Sequence, residues 1–250
     1  IIKRLPGFML YPIARLYIAG TTREQAIALA QKLWHEQGVY SVIDHLGEDP
    51  QTWGEVESYV KEYRELCSSC ADLRYVYLSA KLSGLGQRLN EALCQFRALT
   101  LVRLARTRGL FVRWDMEDHT LVDSTMSIHQ ALRLAGYAET GLVLQSRLLR
   151  TPDDLRELAE MRGGASIRLC IGIYNEPPEV ALQDKPAMKR RLLNLLEEGW
   201  QAGLDVRVAS HDPDVVRGAL AIARKIGKQM SEVEIQMLYG VPDFSMQQEV

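Results

Sequence analysis

Residues able to do chemistry recur in this chain at one kind of place, the end of a short apolar run. Asp44 and Glu48 follow "SVI", Ser79 and Lys81 end "YVYLSAK", Asp115 and Glu117 end "FVRWDME", and Gln145 ends "LVLQ". Arg168 and Tyr174 belong to "IRLCIGIY", Ser210 and His211 follow "VRVA", and Gln236 ends "EIQ". Each has an ordinary structural explanation alone: Asp115 pairs with Arg113, or His211 caps the helix opened by Asp212-Pro213. Lys81, Asp115, Arg168 and His211 on one rim are harder to explain that way, because desolvated charges cost free energy unless they pair or hold a ligand. Two cations, an acid, an amide and an imidazole suit an anionic ligand with hydrogen-bonding edges. They do not suit a metal, since His211 is the one rim histidine and neither H-x-H nor H-E-x-x-H occurs. No G-x-S-x-G elbow surrounds Ser79 or Ser83.

The elements that must position these residues alternate along the chain. Strand patterns are expected at about 40–46, 74–82, 109–117, 141–146, 166–174, 204–211 and 232–240. Between them run amphipathic helical stretches, with starts such as Thr21-Thr22-Arg23-Glu24, Thr151-Pro152-Asp153-Asp154 and Asp212-Pro213. Alternating β and α requires a mainly parallel sheet, either open and doubly wound or closed as a (β/α)8 barrel. No G-x-G-x-x-G or G-x-x-x-x-G-K-[ST] follows any strand, and polar residues end nearly all of them. In a barrel all those ends meet at one face, whereas an open sheet gathers only those near its switch point, so the barrel is expected. Seven strands are counted where a full barrel has eight, so an open edge is expected unless the chain continues past Val250.

With 250 residues, 47% hydrophobic and 25% charged, the chain can form a sizeable core. One barrel domain is expected over 1–250, with a helical lead-in at about 1–38 and the barrel from about 40. A formal charge of -2 gives no electrostatic reason to expect a nucleic acid partner. Cys67 and Cys70 form a lone C-x-x-C, while Cys94 and Cys170 stand singly; all read as plain thiols suited to a reducing compartment. No apolar run reaches the roughly 18 residues of a spanning helix.

Eight segments in register resemble one known family. "LYIAGTT", "LGE", "SAKLSGLG", "FVRWDMEDH", "GLVLQS", "IRLCIGIYNEP", "VASHDP" and "EIQMLYGV" follow one another in the order and spacing of proline dehydrogenase, the bacterial monofunctional type in particular. The resemblance implies a distorted (β/α)8 barrel that binds FAD at its C-terminal face. It also implies oxidation of L-proline to 1-pyrroline-5-carboxylate, hydride passing to flavin N5 and electrons to a quinone. By the same resemblance Arg168 contacts the flavin near N5, Gln145 meets the flavin ring, and Ser210 and His211 stand for a Thr-His pair on the cofactor, with Gly172 in the cofactor strand. Lys81 helps hold the substrate carboxylate, Asp115 is the active-site aspartate, Tyr174 lies beside the substrate and Glu48 over the pocket. A cytoplasmic enzyme with peripheral contact at the inner membrane is implied too.

The departures matter as much. The family's Arg-Leu-Val-Lys-Gly-Ala-Tyr reads Arg168-Leu169-Cys170-Ile171-Gly172-Ile173-Tyr174 here, so Ile171 replaces a lysine and Ile173 a small alanine. Arg147 stands where an aromatic or small residue is common. The last family segment, with the eighth-strand tyrosine and a pair of arginines that clamps the proline carboxylate, has no counterpart before Val250. Lys81 alone offers a point charge rather than a bidentate clamp, so proline turnover is expected to need that segment. The alternative is a divergent homologue, acting on another cyclic or secondary amine or serving as a catalytically silent binding barrel.

Overall fold

The structure, a computed structural model, describes residues 18–161 and 163–241. The "LY" opening of the first motif and the first part of the expected helical lead-in, 1–17, lie outside the described residues. Within them, α1 (Arg23–Gln37) leads to strands β1 (Ser41–Asp44), β2 (Val76–Lys81), β3 (Val112–Asp115), β4 (Thr140–Gln145), β5 (Ser166–Cys170), β6 (Asp205–Ala209) and β7 (Ile235–Gln236). The intervening helices are α2 (Trp53–Ser69), α3 (Glu91–Thr107), α4 (Val122–Leu134), α5 (Thr151–Glu160), α6 (Lys185–Gln201) and α7 (Pro213–Lys225). Local chemistry explains their starts. Thr52 and Glu55 form a reciprocal capping box on α2, and Asp184 and Asp212 cap α6 and α7 just ahead of a proline.

All strand pairs are parallel and the sheet order is β1-β2-β3-β4-β5-β6-β7. Right-handed crossovers in unbroken sequential order place every helix on the same face. The other face has no helical cover, and the sheet covers it by curling. Arg207 on β6 stacks over the Tyr77 ring of β2 at 5.0 Å, where a flat sheet would separate these strands by about 19 Å. The chain is therefore a curled, distorted (β/α)8-type barrel in which the described residues supply seven strands and the six helices between them.

The two faces of the sheet differ by strict alternation. Leu78, Val112, Trp114, Leu142, Leu144, Ile167, Leu169, Val206 and Val208 point outward and are buried under the helices in one continuous core. Burying such a side chain contributes about 1.5–3 kcal/mol. The inward set is mainly polar, with Asp44, Ser79, Lys81, Arg113, Asp115, Gln145, Ser166, Arg168, Asp205, Arg207 and Gln236, though Val42, Val143 and Ala209 share that face.

The strands are shorter than their sequence patterns. β5 stops at Cys170 because Gly172 takes φ +98°, a left-handed conformation that ends extended pairing, so Tyr174 stands on a loop and not on the strand. β7 shrinks to two residues, bounded by a 3-10 turn at Met230–Glu232 and by Gly240 at φ +78°. The four cysteines are free.

At the N-terminal end the lumen is filled by a polar plug. Arg113 is buried, and its Nη1 donates to the carbonyls of Leu142 and Ser166, both at 3.1 Å, while Nη2 reaches Ser166 Oγ at 2.9 Å. Arg207 pairs with Asp205 at 3.2 Å and Glu234 at 3.3 Å. A Cβ on Gly141 would stand 2.4 Å from the Ser166 carbonyl, so only glycine lets β4 pass the plug.

Candidate functional site

At the C-terminal end the lumen opens into a mouth lined by strand-end side chains. Lys81 Nζ lies 3.0 Å from Asp44 Oδ2 and 4.0 Å from Asp115 Oδ2. Asp115 Oδ1 accepts from Ser79 Oγ at 2.8 Å and from Arg168 Nη1 at 2.7 Å. Arg168 also donates through Nε to Gln236 Oε1 at 2.5 Å and through Nη1 to Ser79 Oγ at 3.2 Å. The curl of the sheet makes this cluster, since β2, β3, β5 and β7 contribute to it.

Its electrostatics follow from which charges face one another. Burial pulls the Lys81 ammonium down, but Asp44 and Asp115 outweigh it and raise its pKa. Asp44 also moves up: burial is the main cause, and the Asp115 charge adds to it against the attraction of Lys81 and the Tyr63 hydrogen bond. Lys81 faces two carboxylates, whereas Asp44 faces one cation and a like charge. Helix α2 braces this edge. Tyr63 Oη meets Asp44 Oδ1 at 3.2 Å and the Ser79 carbonyl, and Tyr59 Oη accepts the backbone N–H of Lys81 at 3.0 Å.

Beside the ionic cluster lie buried polar atoms with no partner among the described residues. Gln145 is 2% exposed, and its amide nitrogen donates to the carbonyls of Met116 at 3.1 Å and Glu117 at 2.7 Å. Its Oε1 is left unpaired, and a Cβ on Gly172 would stand 2.2 Å from that oxygen. His211 Nε2 accepts from the Leu238 backbone N–H at 2.7 Å, which puts the neutral ring's proton on Nδ1, itself buried and unpaired. The mouth thus offers an unused acceptor, an unused donor and a glycine cradle. These match the mixed donors and acceptors of an isoalloxazine edge, so the residues present fit a flavin.

Across the opening, Tyr174 Oη donates to Glu48 Oε2 at 3.1 Å, joining the loops after β5 and β1. Burial and then the Glu48 charge push the Tyr174 phenol far above its ordinary value. Ser210 Oγ accepts from the Asp212 N–H at 3.0 Å, and its own N–H donates to the Gln236 carbonyl at 3.1 Å.

The expected residues are thus gathered as Lys81, Asp115 and Arg168 in one network, Gln145 with Gly172, and Glu48 with Tyr174. Ser210 and His211 stand just past β6, outside the cluster: Ser210 is linked to Arg168 through Gln236, and His211 accepts from the Leu238 N–H. Glu117 turns away, into Ser83 Oγ at 2.6 Å. Asp44, Ser79 and Gln236, plain strand-end polar residues in the sequence, are working members. Tyr59 and Tyr63 carry a weaker sequence signal, an i,i+4 tyrosine pair on one helix face.

Fold and mouth together define a (β/α)8-type barrel with a polar mouth at its C-terminal face. A family model described as proline dehydrogenase matches residues 26–173. Proline dehydrogenase 1 of Bacillus subtilis (strain 168) is 28% identical over 229 residues, covering 91% of this chain and 74% of that one. Proline dehydrogenase of Deinococcus radiodurans is 31% identical over 248 residues, covering 96% and 78% respectively. This chain belongs to the proline dehydrogenase family, as its eight motifs suggest.

Among solved structures, proline utilization A from Bdellovibrio bacteriovorus, inactivated by N-propargylglycine, superposes with a TM-score of 0.84 at 21% identity. That match covers 93% of this chain and 29% of the other. The Bradyrhizobium japonicum protein of the same name, a D778Y mutant, gives 0.76 at 19% identity, covering 99% and 30%. This chain spans less than a third of either, and the likeness concerns the fold. Among the described residues no helix is long and apolar enough to cross a membrane.

Proposed function

We propose that this chain, as one barrel domain, oxidises L-proline to 1-pyrroline-5-carboxylate at the barrel mouth, using FAD and passing electrons to a quinone. The observation that carries this reading is the Lys81–Asp115–Arg168 network beside the unpaired Gln145 Oε1 and His211 Nδ1. When bound, FAD would supply the acceptor for the hydride that leaves a carbon next to the ring nitrogen. Arg168, Gln145, Gly172, Ser210 and His211 would hold that cofactor. Lys81 offers its ammonium to the substrate carboxylate, with Asp44 and Asp115 keeping it charged. Asp115, fixed by Ser79 and Arg168, presents the negative wall of the pocket. Glu48 and Tyr174 close over the opening and exclude water from it. The placing of the enzyme in the cytoplasm, with peripheral contact at the inner membrane and no nucleic acid partner, belongs to the same reading.

Purified protein with FAD is expected to show flavin absorbance that bleaches on adding L-proline. A chain that takes up no FAD on reconstitution overturns the proposal. Bleaching by a bulkier cyclic amine and not by L-proline keeps the flavin and replaces the substrate.

A further inference from the structure

The cations at the mouth are not equivalent. Lys81 is matched by Asp44 and Asp115, and Arg168 by Asp115. Arg147, two residues beyond Gln145, has no carboxylate within ion-pair distance among the described residues. Its side chain is nevertheless held in place. Nη1 donates to the Tyr174 carbonyl, its backbone N–H reaches the Ile171 carbonyl at 3.1 Å, and its own carbonyl accepts from Leu182 at 2.8 Å. The stem runs past Gly172, where an added Cβ would stand 2.9 Å from Arg147 Cδ.

Its Nε is buried without a partner, as is Gln145 Oε1, and both side chains abut the same glycine. An uncompensated guanidinium with a buried, unused N–H is costly unless something electron-rich sits against it. The neighbouring strand end offers no charge of its own, because Ile171 packs its apolar side chain against the core.

We propose that Arg147 is a flavin-binding residue that uses its free Nε–H and its unmatched charge to hold FAD and to favour the reduced, negatively charged cofactor. β4 then supplies the positive charge that position 171 does not. The inference rests on the FAD reading above and adds to it a residue outside the family pattern.

The test measures two quantities that do not depend on turnover: the FAD dissociation constant, by fluorescence titration, and the midpoint potential of the bound flavin. Arg147→Leu is expected to weaken FAD binding about tenfold, the scale of one charge-assisted hydrogen bond. It should also lower the preference for reduced flavin about tenfold, which is about 30 mV for a two-electron couple. Arg147→Lys should keep most of both. Ile171→Lys added to Arg147→Leu should restore most of both, by returning a cation from the adjacent strand. If Arg147→Leu does not fold, Arg147→Gln, which keeps the length and loses the charge, is expected to give the same two losses.

Binding and potential within about twofold of the parent overturn the proposal. So does a loss that neither lysine relieves, because Arg147 would then act only as a brace on the Tyr174 carbonyl. A parent protein that takes up no FAD overturns the proposed function and this inference with it. A parent that binds FAD beside an unaffected Arg147→Leu overturns this inference alone.

Discussion

The two ends of the barrel lumen are built from the same residue types and put to opposite uses. At the N-terminal end Arg113 spends its donors on backbone carbonyls and Ser166, and Arg207 is closed in by Asp205, Glu234 and the Tyr77 ring. At the C-terminal end Lys81, Asp115 and Arg168 pair among themselves, while Gln145 and His211 keep atoms unused. Polarity alone therefore does not mark a site in this fold. An unpaired donor does not mark it either, since Arg207 Nε in the plug is buried without a partner. What sets the mouth apart is an acceptor, Gln145 Oε1, left unused beside the Gly172 cradle.

The contrast breaks most plainly through arginines at opposite ends. Arg168→Met is expected to lower kcat/KM for L-proline by about 10²–10³-fold, because it removes a preorganised cation from the proposed reaction site. The melting temperature should move little. A large loss of stability with turnover per folded molecule intact would reverse the roles of the two ends.

Gly141→Ala probes the plug. A methyl forced to 2.4 Å from the Ser166 carbonyl should cost about 2–3 kcal/mol in a urea titration. The flavin affinity of the folded fraction should stay unchanged.

His129 extends the comparison to the outer side of the sheet. It is fully buried on α4 with both ring nitrogens unpaired, and burial, then Arg133 and Arg113, depress its pKa to about 3. With a folded value below the unfolded one near 6.5, its neutral ring contributes stability above about pH 6.5 that is lost as pH falls toward 3. Between pH 7 and pH 5 the protein should lose about 2 kcal/mol more than His129→Leu does, by denaturant midpoints at both pH values. Equal losses would place the acid sensitivity elsewhere.

The smallest effect is expected from Tyr63→Phe, which removes a hydroxyl shared by Asp44 and the Ser79 carbonyl. It should cost about 1 kcal/mol and raise KM more than it lowers kcat, through a less firmly held Lys81.

The barrel was legible because βα alternation and polar strand ends are local patterns. The partners of the inward residues were not. The sequence suggests Arg113 as the mate of Asp115, two positions away. Asp115 instead meets Arg168, 53 residues later, and Arg113 turns down into the plug. That choice depends on how tightly the sheet curls, which no short stretch encodes. The pattern puts Tyr174 on β5 for a related reason: "IRLCIGIY" carries an unbroken alternation through Gly172, whose left-handed backbone cuts the strand short. Trp53, at the start of α2, lies 43% exposed with Arg97 stacked on it, a partner 44 residues away that no local pattern announces.

The alternation of apolar and charged residues on β2, β3, β5 and β6 also bears on how the chain reaches this structure. Parallel strands meet only after long connections have been ordered, so early pairings are slow to form and prone to error. A slip of one residue in β3 would press Arg113 and Asp115 into the oily layer beneath the helices and turn Val112 and Trp114 into the lumen. Both faces would then reject the mistake. The inward charged groups thus double as a proofreading device, which penalises misaligned strands before any ligand arrives.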